Sequence, residues 1–141
     1  MLRVASLVIV VVVLVGAALG EDHFASLTDD QKEMLKMLHD NCVGDSGADE
    51  GLIEKARAGD FVEDDKLKGY MACIFQQLGA LDDDGVPDMD TMIDMLPDSM
   101  QDRGGKMIRA CKSVSGSNAG DTAFKLNMCF FKADPGYYFM I

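Results

Sequence analysis

A chain of 141 residues with 24 acidic and 13 basic side chains, net charge −11, is sized for one domain. So acidic a balance argues against nucleic acid and anionic membranes as partners and implies a solvated, self-repelling surface. The four cysteines, with no two close together and with His23 and His39 outside any ligand spacing, exclude a zinc site and read as two disulfides.

The chain opens on a leader. Met1-Leu-Arg3 is a short positive start, Val4 to Leu19 is almost wholly apolar, and Ala18-Leu-Gly20 places small residues where a signal peptidase reads. A membrane anchor is the alternative, but the run is marginal for spanning and a cleavage signal with polar sequence follows at once. The expectation is a signal peptide over 1–20 and a secreted, soluble domain over 21–141. Without Arg3 that domain carries a net charge of −12.

Thr28-Asp-Asp-Gln31 is a capping box, a hydroxyl N-cap with Gln three residues on. It starts a helix that carries Met34, Leu35 and Leu38 inward and runs to Cys42, with Gly44-Asp-Ser-Gly47 as the break. A second helix fits Asp49 to Ala58, its acids at the start, Lys55 and Arg57 near the end and Gly59 as the stop. Glu63-Asp-Asp65 opens a central helix ending near Gly79. Leu67, Tyr70, Met71, Ile74, Phe75 and Leu78 recur there at offsets of three and four, and so share one face. Gly69 inside it costs roughly 1 kcal/mol relative to alanine.

Asp82 to Asp88 is a polar turn. As a calcium loop with Gly85 sixth, it would put Ala80 first and Thr91 twelfth, where Asp and Glu are required, so that reading fails. Asp90 to Leu96 is a short fourth helix bearing Met92, Ile93 and Met95, stopped by Pro97. Ser99 to about Val114 is the fifth, with Met100, Met107, Ile108 and Cys111 on its buried side and Gly104-Gly105 weakening its middle. A small-residue loop, Ser113 to Gly120, leads to a sixth helix over Asp121 to Lys132, with Phe124, Met128, Cys129 and Phe131, ended by Pro135-Gly136. No strand pattern, repeat or low-complexity segment appears. The expected fold is all-α: six short helices tied by two disulfides.

The cysteines leave gaps of 30, 37 and 17 residues. With these gaps, the leader, the Cys73-Ile-Phe-Gln-Gln-Leu-Gly79 run, the Asp84-Gly85 turn and the Lys132-Ala-Asp-Pro135 ending, the chain resembles the insect odorant-binding proteins. These are secreted six-helix carriers with six cysteines in a fixed order. Their second and fifth cysteines, bonded to each other, map onto Gly69 and Gly120, so one whole bridge is missing and no thiol is orphaned. That is the pattern of the four-cysteine Minus-C type. The chemosensory proteins also have four cysteines, but in two tightly spaced pairs. Spacing alone leaves three pairings open; the resemblance implies Cys42 with Cys73 and Cys111 with Cys129.

No catalytic constellation is present. No motif around His39 resembles a nucleophile elbow or a papain-like site, and the histidine reads as a boundary residue beside an apolar face. The glycines lack phosphate-loop spacing. The chain is therefore read as a non-enzyme without cofactor or metal. From periodicity, a Met or Phe at helical spacing is core more often than pocket. The resemblance implies that the helices enclose an apolar cavity for elongated or ring-bearing molecules: odorants, pheromones or fatty-acid-like compounds. It nominates as wall Met34, Leu38, Tyr70, Met71, Ile74, Phe75, Met92, Leu96, Met107, Ile108, Phe124, Met128, Phe131, Tyr138 and Phe139. Flexible thioethers suit a wall that fits several ligands, and Tyr70, Tyr137 and Tyr138 are candidate donors. The apolar tail, Tyr137-Tyr-Phe-Met-Ile141, either packs on the outside of the helices or, as the resemblance implies, folds back as part of the pocket wall, with an anchor that includes the Ile141 carboxylate and acids such as Asp134 and is loosened by acid. A chemosensory receptor is the macromolecular partner implied, and a monomer or weak dimer the expected state. The rival reading is a secreted helical signalling or inhibitory protein acting through a protein partner.

Overall fold

The structure, a computed structural model, describes residues 27–141; the leader and its cleavage point lie outside the described residues. Among the described residues there are six α-helices and no strand, only an isolated antiparallel bridge between Leu81 and Pro87 at the acidic turn.

Five of the six helices start on a side chain that caps them. Ahead of α1 (Asp29–Ser46), Thr28 Oγ1 accepts the Gln31 N–H at 3.2 Å while Gln31 Oε1 accepts the Thr28 N–H at 2.9 Å. Asp49 caps α2 (Glu50–Arg57), Asp64 caps α3 (Asp65–Gln77) and Asp88 caps α4 (Met89–Asp94), each carboxylate accepting first-turn amides. Pro97 opens α5 (Asp98–Arg109) with no side-chain cap, and Asn118 caps α6 (Ala119–Ala133) through the Asp121 N–H.

Several boundaries differ from the sequence reading, and three of them are instructive. α1 passes Gly44 and ends four residues beyond Cys42, because Gly47 alone adopts the left-handed conformation (φ 68°) that lets its N–H close on Val43 O. α5 runs unbroken through Gly104-Gly105 but stops at Arg109 instead of Val114. Both glycines are buried, and a Cβ on Gly104 would sit 2.7 Å from Leu96 Cδ1, so close approach of α4's end offsets their poor propensity. α6 begins two residues earlier than expected and takes Gly120 into its first turn.

α3 is the central element, packed chiefly against α6 and α1, while α4 pairs with α5. Cys42–Cys73 joins α1 to α3 and Cys111–Cys129 joins the end of α5 to α6, with Cα separations of 5.6 and 5.9 Å. These are the pairings the resemblance implied, and each constrains the unfolded chain by about 2–4 kcal/mol. Phe61 lies edge-on to Phe124, Phe131 and Tyr138, an aromatic layer between the α2–α3 linker, α6 and the tail.

A methionine-rich cavity closed by the C-terminal tail

An apolar cavity of about 200 Å³ lies among α1, α3, α4, α5, α6 and the tail. Among the described residues twenty-one line it, seven of them methionine, and of these only Gln31 and Asn127 have polar side chains. Its volume is below the roughly 300–1,000 Å³ common for drug-sized ligands. Unbranched thioethers adopt other rotamers at small cost, which lets such a wall yield to a larger guest.

The amphipathic stripes deliver most of the wall. Met71, Ile74 and Phe75 reach it from α3, Met92 and Leu96 from α4 and the turn after it, Met107 and Ile108 from α5, and Phe139 from the tail. Met34 also lines it but is 56 % exposed, which places it at the rim. The other six nominated residues do not reach the cavity. Leu38 and Tyr70 are buried in the core, and Phe124 is covered by Phe61 and by the Lys68 ammonium, 5.1 Å from its ring centre. Phe131 packs on Phe61 and Tyr138, and Met128 faces out, 38 % exposed. Tyr138 stands behind the wall. α6 is apolar on several faces at once, so periodicity could not say which face meets the cavity. That face carries Asn127 and Phe130, which the sequence reading passed over; Met95 and Met100, read there as helix residues, and Met140 and Ile141, read there as part of the tail, line the cavity as well.

The tail is held by a relay of hydrogen bonds. The Tyr70 hydroxyl donates to the Ile141 main-chain oxygen at 2.5 Å, and His39 Nδ1 lies 2.7 Å from the same hydroxyl. His39 Nε2 reaches the Glu50 carboxylate at 2.9 Å, so this histidine links α1, α2 and α3 instead of merely bordering an apolar face. Arg57 Nε donates to Met140 O at 3.1 Å, and Arg103 grips Asp134 with two bonds of 2.8 and 2.9 Å while stacking over Tyr137. Tyr138 donates to Asn127 Oδ1 at 3.0 Å. Burial pushes the Tyr70 and Tyr138 phenols well above their ordinary range, so both keep the protons they donate.

A second cluster spans the contact between α3 and α6 where Gly120 meets α3. Lys68 Nζ lies 2.6 Å from Glu63 and 3.8 Å from Asp121, and Lys125 pairs with Asp121 at 2.9 Å. The bond from Lys125, then the Ser117 N–H, holds the Asp121 carboxyl down at about 2.

Fold and wall together define a class of protein: a disulfide-tied all-α domain built round an apolar receptacle. The comparisons carry this further. Residues 24–133 match the PBP/GOBP family, and the chain belongs to it; its four cysteines in two bridges are those of the Minus-C type. It is 32 % identical to the B2 protein of Tenebrio molitor over 115 residues, 80 % of this chain and 89 % of that one. The fold is similar to odorant binding protein 4 of Chrysopa pallens, with TM-score 0.73 at 24 % identity over 82 % of this chain and 99 % of that one. It is also similar to the fatty acid binding protein OBP56a from the oral disk of the blowfly Phormia regina, with TM-score 0.59 at 30 % identity over 78 % and 96 % of the two chains. The family and the fold are those of carriers and not of enzymes. Among the described residues no helix is long and apolar enough to cross a membrane.

Proposed function

We propose that this chain is a secreted, non-catalytic carrier that holds one small hydrophobic molecule in the methionine-rich cavity. The observation that carries this reading is the wall itself, in which 19 of the 21 described lining residues are apolar. Burying ligand surface there contributes about 25 cal/mol per Å², which gives useful affinity without specific chemistry. The blowfly relative, described as a fatty acid binding protein, supports a cargo of odorant-, pheromone- or fatty-acid-like size and polarity. On this reading Met71, Ile74, Phe75, Met92, Leu96, Met107, Ile108 and Phe139 touch the ligand, Met34 guards the entrance, and the tail closes over the bound molecule.

The test is uptake of an environment-sensitive fluorescent probe such as N-phenyl-1-naphthylamine, followed by displacement with apolar competitors. Saturable uptake at micromolar probe, weakened by Met71→Gln or Met107→Gln in a folded variant, is the expected result. A folded protein with no saturable uptake would overturn the carrier and favour action through a protein partner.

A further inference from the structure

Asn127 is the anomaly of the cavity. It lies on α6, is 4 % exposed, and lines a wall whose only other polar side chain among the described residues, Gln31, is engaged in the capping box at the start of α1. Buried amides are normally satisfied, and one that is not asks for an explanation.

The amide's orientation follows from its partners. Ala123 O accepts a hydrogen bond at 2.9 Å and can only accept, so the nitrogen must face it. The oxygen then takes the Tyr138 hydroxyl proton at 3.0 Å. A carboxamide has two N–H donors and two lone pairs on oxygen. One N–H and one lone pair are therefore left without a partner among the described residues, on a side chain that borders empty apolar space. The two bonds also fix the amide in place, so the spare N–H is pre-oriented.

We propose that Asn127 is the polar anchor of the cavity and that the ligand it selects is a neutral, singly oxygenated apolar molecule, an alcohol or a carbonyl compound. The free N–H donates to the ligand oxygen, and an alcohol returns its own proton to the free lone pair of Oδ1. A carbonyl compound uses the first bond alone. A pure hydrocarbon leaves both groups unsatisfied. An ionised carboxylate is disfavoured, because no Lys, Arg or His among the described residues lines the cavity to offset the loss of its hydration. This proposal rests on the carrier reading and narrows it from hydrophobic molecules at large to one class.

The test is displacement of N-phenyl-1-naphthylamine at pH 8 by octane, 1-octanol, octanal and octanoate, with wild-type protein and with Asn127→Leu. A purely apolar cavity ranks octane above octanol, since octane leaves water more readily. The wild type is expected to rank octanol and octanal above both octane and octanoate. Asn127→Leu, checked for native helicity by circular dichroism, is expected to shift the octanol-to-octane affinity ratio about tenfold toward octane. If the leucine variant fails to fold, the wild-type ranking alone decides. Octane binding as tightly as octanol, or octanoate binding more tightly than octanol, overturns the anchor while leaving the carrier intact. A protein that takes up neither the probe nor any C8 compound overturns both.

Discussion

Replacing Tyr70 by Phe keeps a fully buried ring and deletes only the hydroxyl that donates to the Ile141 oxygen at 2.5 Å and meets His39 Nδ1 at 2.7 Å. The bond is worth about 1 kcal/mol net, and an Ile141 oxygen left unpaired in the core adds about 1–3 kcal/mol. Arg57 still holds Met140 O, and Tyr138 still bonds Asn127, so the helices stay folded and the penalty falls on the last residues. Release of the tail relieves the unpaired oxygen, so opening becomes easier by about 2 kcal/mol and the open form about thirtyfold more populated. Chymotrypsin reads this directly, because its aromatic targets Tyr137 and Tyr138 are buried and become accessible only when the tail lifts. When opening is fast relative to cutting, cleavage tracks the open population. A tail-cleavage rate raised by one to two orders of magnitude, with unchanged far-UV circular dichroism, is expected, together with weaker probe binding. An unchanged rate in a folded Tyr70→Phe protein would refute the idea that this hydroxyl holds the tail.

Gly59 sits at φ 88° with the Phe131 ring against the position a Cβ would take, so Gly59→Ala should cost about 2–4 kcal/mol, seen as a lower denaturation midpoint. A Cβ on Gly120 lies 3.5 Å from the carbonyl carbon joining Lys68 to Gly69, and one on Gly69 meets only Ser46 Cβ at 3.8 Å. Both positions have room for a side chain, and on the cysteine alignment Gly69→Cys with Gly120→Cys should form a third bridge and raise the melting temperature, with an upper gain of ~4 kcal/mol on the loop-entropy relation; two free thiols remaining under oxidising conditions would contradict that alignment. Asp121, held at about 2, contributes stability that is fully present above the ordinary carboxylate value and is lost as pH falls toward 2. Asp121→Asn should flatten the melting-temperature profile between about pH 4 and pH 2, and an unaltered acid slope would assign the loss to other carboxylates.

The helices were legible because their signals are local. The capping box at Thr28 and the acids at Asp49 and Asp64 each act within one turn, and the α3 stripe announces its buried face by spacing alone. Gly104-Gly105 misled for the opposite reason. Their local cost is real, but the compensation comes from Leu96, which approaches across the turn between α4 and α5. The wall of the cavity was legible wherever a helix has one apolar face, as in α3 and α5. It was not legible in α6, whose buried residues surround most of the helix, so that Phe124 and Phe131 look inward to the aromatic layer while Phe130 looks to the cavity. Asn127 escaped because a mid-helix asparagine reads as solvent-facing. Its place four residues after Ala123 and three before Phe130, within a buried stripe, was the available signal. His39 escaped likewise, since its partners come from other helices.

The thioether wall also gives the molecule a chemical lifetime. Peroxide converts methionine to the sulfoxide, a polar group on a side chain chosen for being apolar. Met34 and Met95, 56 % and 43 % exposed, meet oxidant first, and Met71, 1 % exposed, meets it only when the wall opens. Each addition places a strong acceptor beside a space otherwise bordered by two polar side chains, and water then competes with the guest. Oxidation at the exposed rim leaves the buried core and both disulfides untouched, so an ageing sample would lose binding capacity first and stability only when oxidant reaches core methionines such as Met71.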